Sequence, residues 1–243
     1  FSRLRAIGKQ KRPRSKLAFT HTMTSFALAD RLRGVEGSPT LALAAKAKAL
    51  AKAGQAVADF TAGEPDFPTP SAIKQAGIQA IETNQTKYTP VAGVAELRSA
   101  IANHLAARLG AKYAAAEVIV SCGAKHALYN TLQVICNPGD QVIILSPYWV
   151  SYEPLVRLAD AEPVIVKTRE QDGFQPDISE IQANITPKTR AIILNSPSNP
   201  TGVVITEQKL EELAAVVKGA RRDDSLFIIS DEIYDQIVFA PAQ

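Results

Sequence analysis

The stretch that decides the fold is Val142-Ile143-Ile144-Leu145-Ser146-Pro147-Tyr148-Trp149, a short apolar run followed by a polar and aromatic turn. The run is continuously apolar rather than alternating, which is typical of a strand buried on both faces of a parallel sheet. Similar β-branched runs recur along the second half of the chain. They are Val118–Val120, Val164–Val166, Ile192–Leu194 and Leu226–Ile229.

Segments with helical patterns lie before and between these runs. They cover Leu41–Ala53, a segment from about Ser71, a segment from about Val94 to Gly110, His126–Ile135 and Glu207–Val217. Thr206 is the expected N-cap of the last of them, and Gly219 is its expected stop. The alternation of strand and helix predicts an α/β fold, a mostly parallel sheet with helices on both faces.

The composition is that of an ordinary globular protein: 46% of the 243 residues are apolar and 21% are charged. No apolar run approaches the roughly 20 residues of a membrane span, so no membrane association is expected. Three scattered histidines give little support for a metal site. Cys122 and Cys136 lie in apolar surroundings, which indicates reduced core residues rather than a disulfide.

The charge is uneven along the chain. Residues 1–22 carry seven basic side chains and no acidic ones, which leaves 20 basic and 24 acidic residues in the remainder. We interpret residues 1–22 as translated upstream sequence or a disposable leader rather than a nucleic-acid-binding arm. Residues 23–62 are assigned to the first segment of a small domain and residues 63–243 to a large domain. We expect a cytoplasmic protein, or a plastid one if the leader is a transit peptide.

Ligands of open parallel sheets gather at the carboxyl ends of the strands, so the residues that follow each run are the candidates for a site. Ser121–Lys125 places a glycine turn before a helix, which suits a phosphate but is also a common steric feature. Trp149 is placed to stack on a flat heteroaromatic ligand. By itself, however, the indole is more often half-buried core.

Two further strand ends carry polar side chains. Asn195–Gly202 contains prolines on both sides of Asn199, an arrangement that holds an amide rigidly but also occurs in plain turns. Asp231 follows a buried strand, where a carboxylate is costly without a cationic partner or several hydrogen bonds. A helix N-cap role for this aspartate carries equal weight.

Taken together and in this order, these features resemble the class I/II, fold-type I, pyridoxal-phosphate-dependent aminotransferases. The motifs are Ala62–Phe67, Lys87-Tyr88, Ser146–Trp149, Asn199–Gly202 and Asp231–Tyr234. The resemblance runs from about Ser38 to Phe239. The motifs are most similar to those of the bacterial- and plastid-type aspartate aminotransferases, relatives of which also use prephenate.

The resemblance implies how pyridoxal 5′-phosphate is held. Asp231 pairs with the pyridine nitrogen, Tyr234 and Asn199 donate to the phenolic oxygen, and Trp149 stacks on the ring. Gly123, Ala124 and Lys125 open the phosphate cup, while Tyr88 reaches the phosphate of the other subunit's cofactor, which implies a homodimer.

The resemblance also implies amino acid and 2-oxo acid substrates. The residues that it assigns to substrate are Gly63, Trp149, Asn199, Lys125 and Thr40. A lysine at position 125 favours a dicarboxylic substrate, although a surface lysine at a helix start is the plainer interpretation.

The chain departs from the family in one respect. The family's Schiff-base lysine follows Tyr234 after one further strand, and residues 235–243 contain no lysine. The resemblance therefore implies that this catalytic lysine lies beyond Gln243 and that no catalytic residue is present in the chain as given. The expectation is a piece of a larger enzyme, inactive and unstable by itself.

Two alternatives remain at this point. One is another fold-type I enzyme, a lyase or decarboxylase, and the other is a non-catalytic binding or regulatory module. A nucleotide-binding protein is disfavoured, because neither G-x-G-x-x-G nor a P-loop is present.

Overall fold

The computed structural model describes residues 27–32, 35, 37, 39–61, 63–220 and 226–239. The helices are α1 Pro39–Lys52, α2 Ser71–Glu82, α3 Ala95–Leu109, α4 Ala124–Ile135, α5 Tyr152–Leu158, α6 Ile178–Asn184 and α7 Glu207–Ala220. The strands are β1 Gln141–Ser146, β2 Glu162–Lys167, β3 Thr189–Asn195 and β4 Phe227–Asp231.

Three of the sequence predictions fall outside the described residues. They are the predicted leader at residues 1–22, Ala62 of the first motif, and Gln243, beyond which the Schiff-base lysine is expected. The structure does not test the placement of that lysine, which stays a prediction.

The strands form one parallel sheet in the order β2-β1-β3-β4. This confirms the predicted α/β class. Strand β1 lies between β2 and β3, so the spatial order of the strands differs from their order in sequence. Because the strands are parallel, all four end at the same edge of the sheet, where the polar turns follow.

Two apolar layers cover the faces of the sheet. On one face Leu132 of α4 and Val156 of α5 pack with Val142 and Ile144. On the other face, strand side chains such as Ile192 pack against helices α6 and α7 and form a separate cluster. Successive side chains of β1 point to opposite faces of the sheet, so Val142 and Ile144 lie in one layer and Ile143 lies in the other. A continuous apolar run therefore contributes to both layers.

Val118–Val120 was predicted to be a strand, and this prediction is wrong for the described structure. Val118 is extended, at φ −107° and ψ 129°, but the run belongs to no sheet. The Val120 N–H donates to the carbonyl of Ala92 instead, at 3.0 Å. Ile119 is mostly exposed because no described strand lies beside it.

Three smaller expectations also need correction. The strand β4 is not buried on both faces: it pairs only with β3, and Phe227 and Ile228 remain partly exposed. Gly219 does not stop α7, which continues to Ala220 because Gly219 keeps a negative φ. Cys122 is exposed in the turn before α4 and is not a core residue, whereas Cys136 packs against the first apolar layer.

Helices α1, α2 and α3 lie in the part of the chain that precedes α4 and the sheet. Helix α2 has no buried residue, and α3 buries only Ala102. Within the described ranges, no helix combines the length and the apolar character needed to cross a membrane.

Candidate functional site

The candidate site lies at the carboxyl ends of β1, β3 and β4. Asn195 and Asp231 are register partners in the last rung of the ladder between β3 and β4. The turns after β1 and β3 contain cis peptide bonds at Ser146-Pro147, Ser196-Pro197 and Asn199-Pro200. The polar side chains that follow three separated segments of sequence are therefore brought to one edge of the sheet.

Asp231 is the buried carboxylate of the site, with 7% of its surface exposed. Its Oδ2 accepts from the Tyr152 hydroxyl at 2.6 Å, and its Oδ1 accepts from the Ile233 N–H at 3.3 Å. A turn follows the strand rather than a helix, so the N-cap interpretation of Asp231 is wrong. Burial is the main cause of the raised pKa of Tyr152, and the hydrogen bond to Asp231 is the second cause. The hydroxyl therefore stays protonated and acts as a donor.

Asp231 has no cationic partner among the side chains that the structure describes. The basic groups in ion pairs contact other acids, namely Asp160, Asp235, Glu153, Glu180 and Glu212. A phenol and a backbone N–H offset only part of the cost of burying a carboxylate. The site is therefore suited to a ligand that brings a positive charge to Asp231.

Trp149 is half-buried and packs against the apolar layer beneath α4 and α5. Its ring meets Tyr152 edge-on, with centroids 5.5 Å apart and planes at 87°. The Lys125 Nζ lies 4.9 Å from the centroid of the indole, in a cation–π contact. Trp149 thus serves as core and also connects the first turn of α4, through Tyr152, to the Asp231 carboxylate.

Asn199 and Tyr234 form the second polar pair of the site. The Asn199 side-chain amide donates to the Tyr234 Oη at 3.0 Å. The Asn199 backbone N–H donates to the Asn195 Oδ1 at 2.7 Å, and the Asn195 Nδ2 donates to the Asp231 carbonyl at 2.9 Å. A hydroxyl and an amide held side by side can both donate to one oxygen of a ligand.

The turn at Gly123 begins α4 with a left-handed φ of 82°, which strains any residue with a Cβ. The Cys122 N–H donates to the His126 Nδ1 at 3.2 Å, which closes the turn onto the helix. The N–H groups of the first helical turn, including those of Ala124 and Lys125, face the helix N-terminus. That arrangement suits an anion such as a phosphate.

Comparison with known proteins identifies the family. The sequence profile described as aminotransferase class I and II matches residues 55–243. The chain belongs to the class I and II aminotransferases.

Similar proteins of this family come from plants and bacteria. The chain is 46% identical over 215 residues to a bifunctional aspartate aminotransferase and glutamate/aspartate-prephenate aminotransferase of Petunia hybrida, covering 88% of this chain and 44% of that protein. It is 44% identical to an aspartate aminotransferase of Geobacillus stearothermophilus, covering 89% and 54%.

A solved aminotransferase structure agrees with the fold. The aspartate aminotransferase of Thermus thermophilus with maleate superposes with a TM-score of 0.84 at 41% identity, covering 90% of this chain and 56% of that one. The chain spans about half the length of the relatives it matches.

Three residues that the aminotransferase motifs assign to the site do not join the cluster in this structure. Thr40 lies in α1, Gly63 is exposed, and Tyr88 is fully exposed. Within the described residues, no side-chain hydrogen bond, ion pair or ring contact connects them to Asp231 or Trp149. Their assignments remain predictions.

Two residues of the cluster were missed by the sequence interpretation. Tyr152 sits three positions after Trp149, and only the tertiary fold shows that its hydroxyl reaches Asp231. The sequence interpretation includes Asn195 in the turn Asn195–Gly202 and assigns it no role. A signal was present, because a polar amide at the end of a buried strand needs hydrogen-bond partners.

Proposed function

We propose that the whole protein containing this chain transfers an amino group between an L-amino acid and a 2-oxo acid, using pyridoxal 5′-phosphate. The observation that supports this most directly is Asp231, a buried carboxylate whose described partners are uncharged. When bound, the cofactor supplies a protonated pyridine ring that accepts electrons from the substrate carbon. Asp231 is placed to hold a proton on such a ring nitrogen.

The other residues of the cluster are compatible with the same cofactor. Asn199 and Tyr234 form a donor pair for the phenolic oxygen of the ring. Trp149 offers an indole face for stacking. The turn at Gly123 presents backbone N–H groups to the phosphate, and Lys125 adds a positive charge at that helix end.

We propose a dicarboxylic amino acid, aspartate- or glutamate-like, as the amino donor. Lys125 is exposed with its ammonium above Trp149, a position from which it can bind a side-chain carboxylate of the substrate. The names of the similar proteins, which are aspartate aminotransferases, support the same class. Gly63 and Thr40 are proposed to complete the substrate site from the preceding part of the chain.

We also propose that the whole protein is a homodimer in which Tyr88 reaches the cofactor phosphate of the second subunit. Tyr88 and its neighbour Val91 are fully exposed in the single chain. A tyrosine with no side-chain contacts within its own described chain is available to a partner. Exposed apolar side chains around it would be buried by the same contact.

The experiment that tests the function is replacement of Asp231 in the whole protein. Asp231→Ala is expected to lower the rate of amino transfer from aspartate to 2-oxoglutarate by at least about a hundredfold, as loss of a preorganised charge does. It is also expected to weaken pyridoxal phosphate binding, measured from the visible absorbance of the bound cofactor. Glu232→Gln is the matched control, since Glu232 is the exposed neighbouring acid. Unchanged cofactor affinity and turnover in Asp231→Ala would contradict the proposal.

A further inference from the structure

We propose that Asn195 is a positioning residue: its side-chain amide sets the spacing between Asp231 and Asn199, the two groups proposed to hold opposite parts of the cofactor ring. The inference rests on the proposed function. It concerns a residue whose side-chain amide bonds to the main chains of Asp231 and Asn199, the two proposed ring contacts.

The donor side of the Asn195 amide contacts strand β4. Asn195 is the last residue of β3 and pairs with Asp231 in the parallel ladder. Beyond it the chain leaves the sheet through Ser196 and Pro197. The Asn195 Nδ2 donates to the Asp231 carbonyl at 2.9 Å. A side chain of β3 thus supplies a hydrogen-bond donor to the last residue of β4.

The acceptor side of the Asn195 amide contacts the turn after β3. The Asn195 Oδ1 accepts from the Asn199 N–H at 2.7 Å. The amide is therefore used from both ends, with its oxygen towards an N–H and its nitrogen towards a carbonyl, which fixes a single orientation. An aspartate keeps the acceptor but loses the donor, and a leucine of similar volume loses both.

The consequence is a fixed frame across the site. Asp231 is held at its carbonyl by Asn195 and at its carboxylate by Tyr152, so backbone and side chain are anchored separately. Asn199 is held at its N–H by the same amide and faces Tyr234 through its own side chain. Releasing Asn195 lets the ends of β3 and β4 move relative to each other, which misaligns both proposed ring contacts at once.

The chain contains a matched control for this arrangement. Gln175 is also partly buried and also bridges two main-chain groups: its Nε2 donates to the Val204 carbonyl at 2.9 Å, and its Oε1 accepts from the Thr206 N–H at 3.1 Å. Neither Val204 nor Thr206 is a proposed cofactor contact. Losing the Gln175 amide removes the same kinds of hydrogen bond without disturbing the frame between Asp231 and Asn199.

The test compares Asn195→Leu, Asn195→Asp and Gln175→Leu in the whole protein. We expect both Asn195 variants to raise the dissociation constant for pyridoxal phosphate about tenfold or more, since small misplacements of binding groups have large effects. They should also shift the pH midpoint of the bound cofactor's visible absorbance. Gln175→Leu should lower the melting temperature while keeping the dissociation constant within about twofold and the pH midpoint unchanged.

The outcomes separate this inference from the function on which it rests. If the unmodified protein binds no pyridoxal phosphate, the proposed function is overturned. If it binds, but the Asn195 and Gln175 variants change affinity and pH midpoint equally, Asn195 is only a structural residue and the inference is overturned. Should Asn195→Leu fail to fold, the isosteric Asn195→Asp variant decides: wild-type affinity and pH midpoint in that variant overturn the inference.

Discussion

Residues 39–110, the helical region, and residues 124–231, the sheet region, are both rich in aliphatic side chains, yet they use them differently. In the sheet region Ile143 and Ile192 are fully buried between the sheet and helices α6 and α7. In the helical region α2 buries nothing, and Ile73, Ile78 and Ile81 all remain exposed. The sheet region makes a core from its own residues, whereas the helical region presents apolar surface outward.

The two regions obtain their stability from different sources. A buried parallel sheet is closed by the crossover helices that its own connections require. An amphipathic helix has no such internal partner and depends on whatever packs against its apolar side. The exposed surface around Tyr88 and Val91 is therefore consistent with the proposed homodimer, in which a second copy would cover it.

The largest difference in stability between the two regions is expected from truncating an isoleucine in each. Ile192→Ala should lower the free energy of unfolding by about 2–5 kcal/mol, because it leaves a cavity in a closed layer. Ile78→Ala, on the exposed face of α2, should lower it by less than about 1 kcal/mol. Urea unfolding followed by circular dichroism measures both. Equal losses would show that α2 is as tightly packed in solution as the sheet.

A second contrast lies within the sheet region, between the two cysteines at opposite ends of α4. Burial raises the pKa of the Cys136 thiol to about 11, whereas Cys122 is exposed. The thiolate is the reactive form, so at pH 8 the partly buried Cys136 should react with iodoacetamide at least about tenfold more slowly than the exposed Cys122. The rate at Cys136 should rise with pH and reach half of its maximum at about pH 11, where half of the thiol is ionised.

Peptide mass spectrometry of the cofactor-free protein distinguishes the two sites. Cys122→Ser isolates the slower reaction and serves as the control. Equal rates at the two cysteines, or a pH-independent rate at Cys136, would show that the end of α4 opens to solvent and that the layer beneath it is not closed.

Much of the sheet region could be predicted from sequence because its signals are local. Four of the five β-branched runs form strands, including Ile192–Leu194 in β3, and the polar residues after three of those strands form the candidate site. Continuous apolar runs and flanking turns carry that information within a few residues. Asp231 was singled out for a physical reason, the cost of a buried carboxylate, and its burial confirms that reason.

The predictions that failed, and the contacts that were missed, concern residues whose partners are distant in sequence. Val118–Val120 has strand composition, but a strand exists only where another lies beside it, and no local pattern reports that neighbour. The contact between Tyr152 and Asp231 joins residues 79 positions apart. The positions of Thr40, Gly63 and Tyr88 relative to the site depend in the same way on packing that their own neighbours in sequence do not determine.

The smallest effect concerns the apolar surface of the helical region. Val91 is fully exposed in the single chain, so Val91→Glu should change the stability of the monomer by no more than about 0.5 kcal/mol. If a second copy covers this surface, the same substitution buries an unpaired charge at the contact. The dissociation constant of the dimer should then rise about tenfold or more, as measured by sedimentation velocity over a range of protein concentrations.

Leu210→Glu on α7 is the control for Val91→Glu, since it adds the same charge to a partly exposed apolar position of the sheet region. It should leave the dimer intact. If both variants weaken association alike, net charge rather than a specific surface is responsible. If neither does, the second copy does not cover the surface around Val91. The exposed side chains of the helical region would then need a partner other than a second copy of the chain.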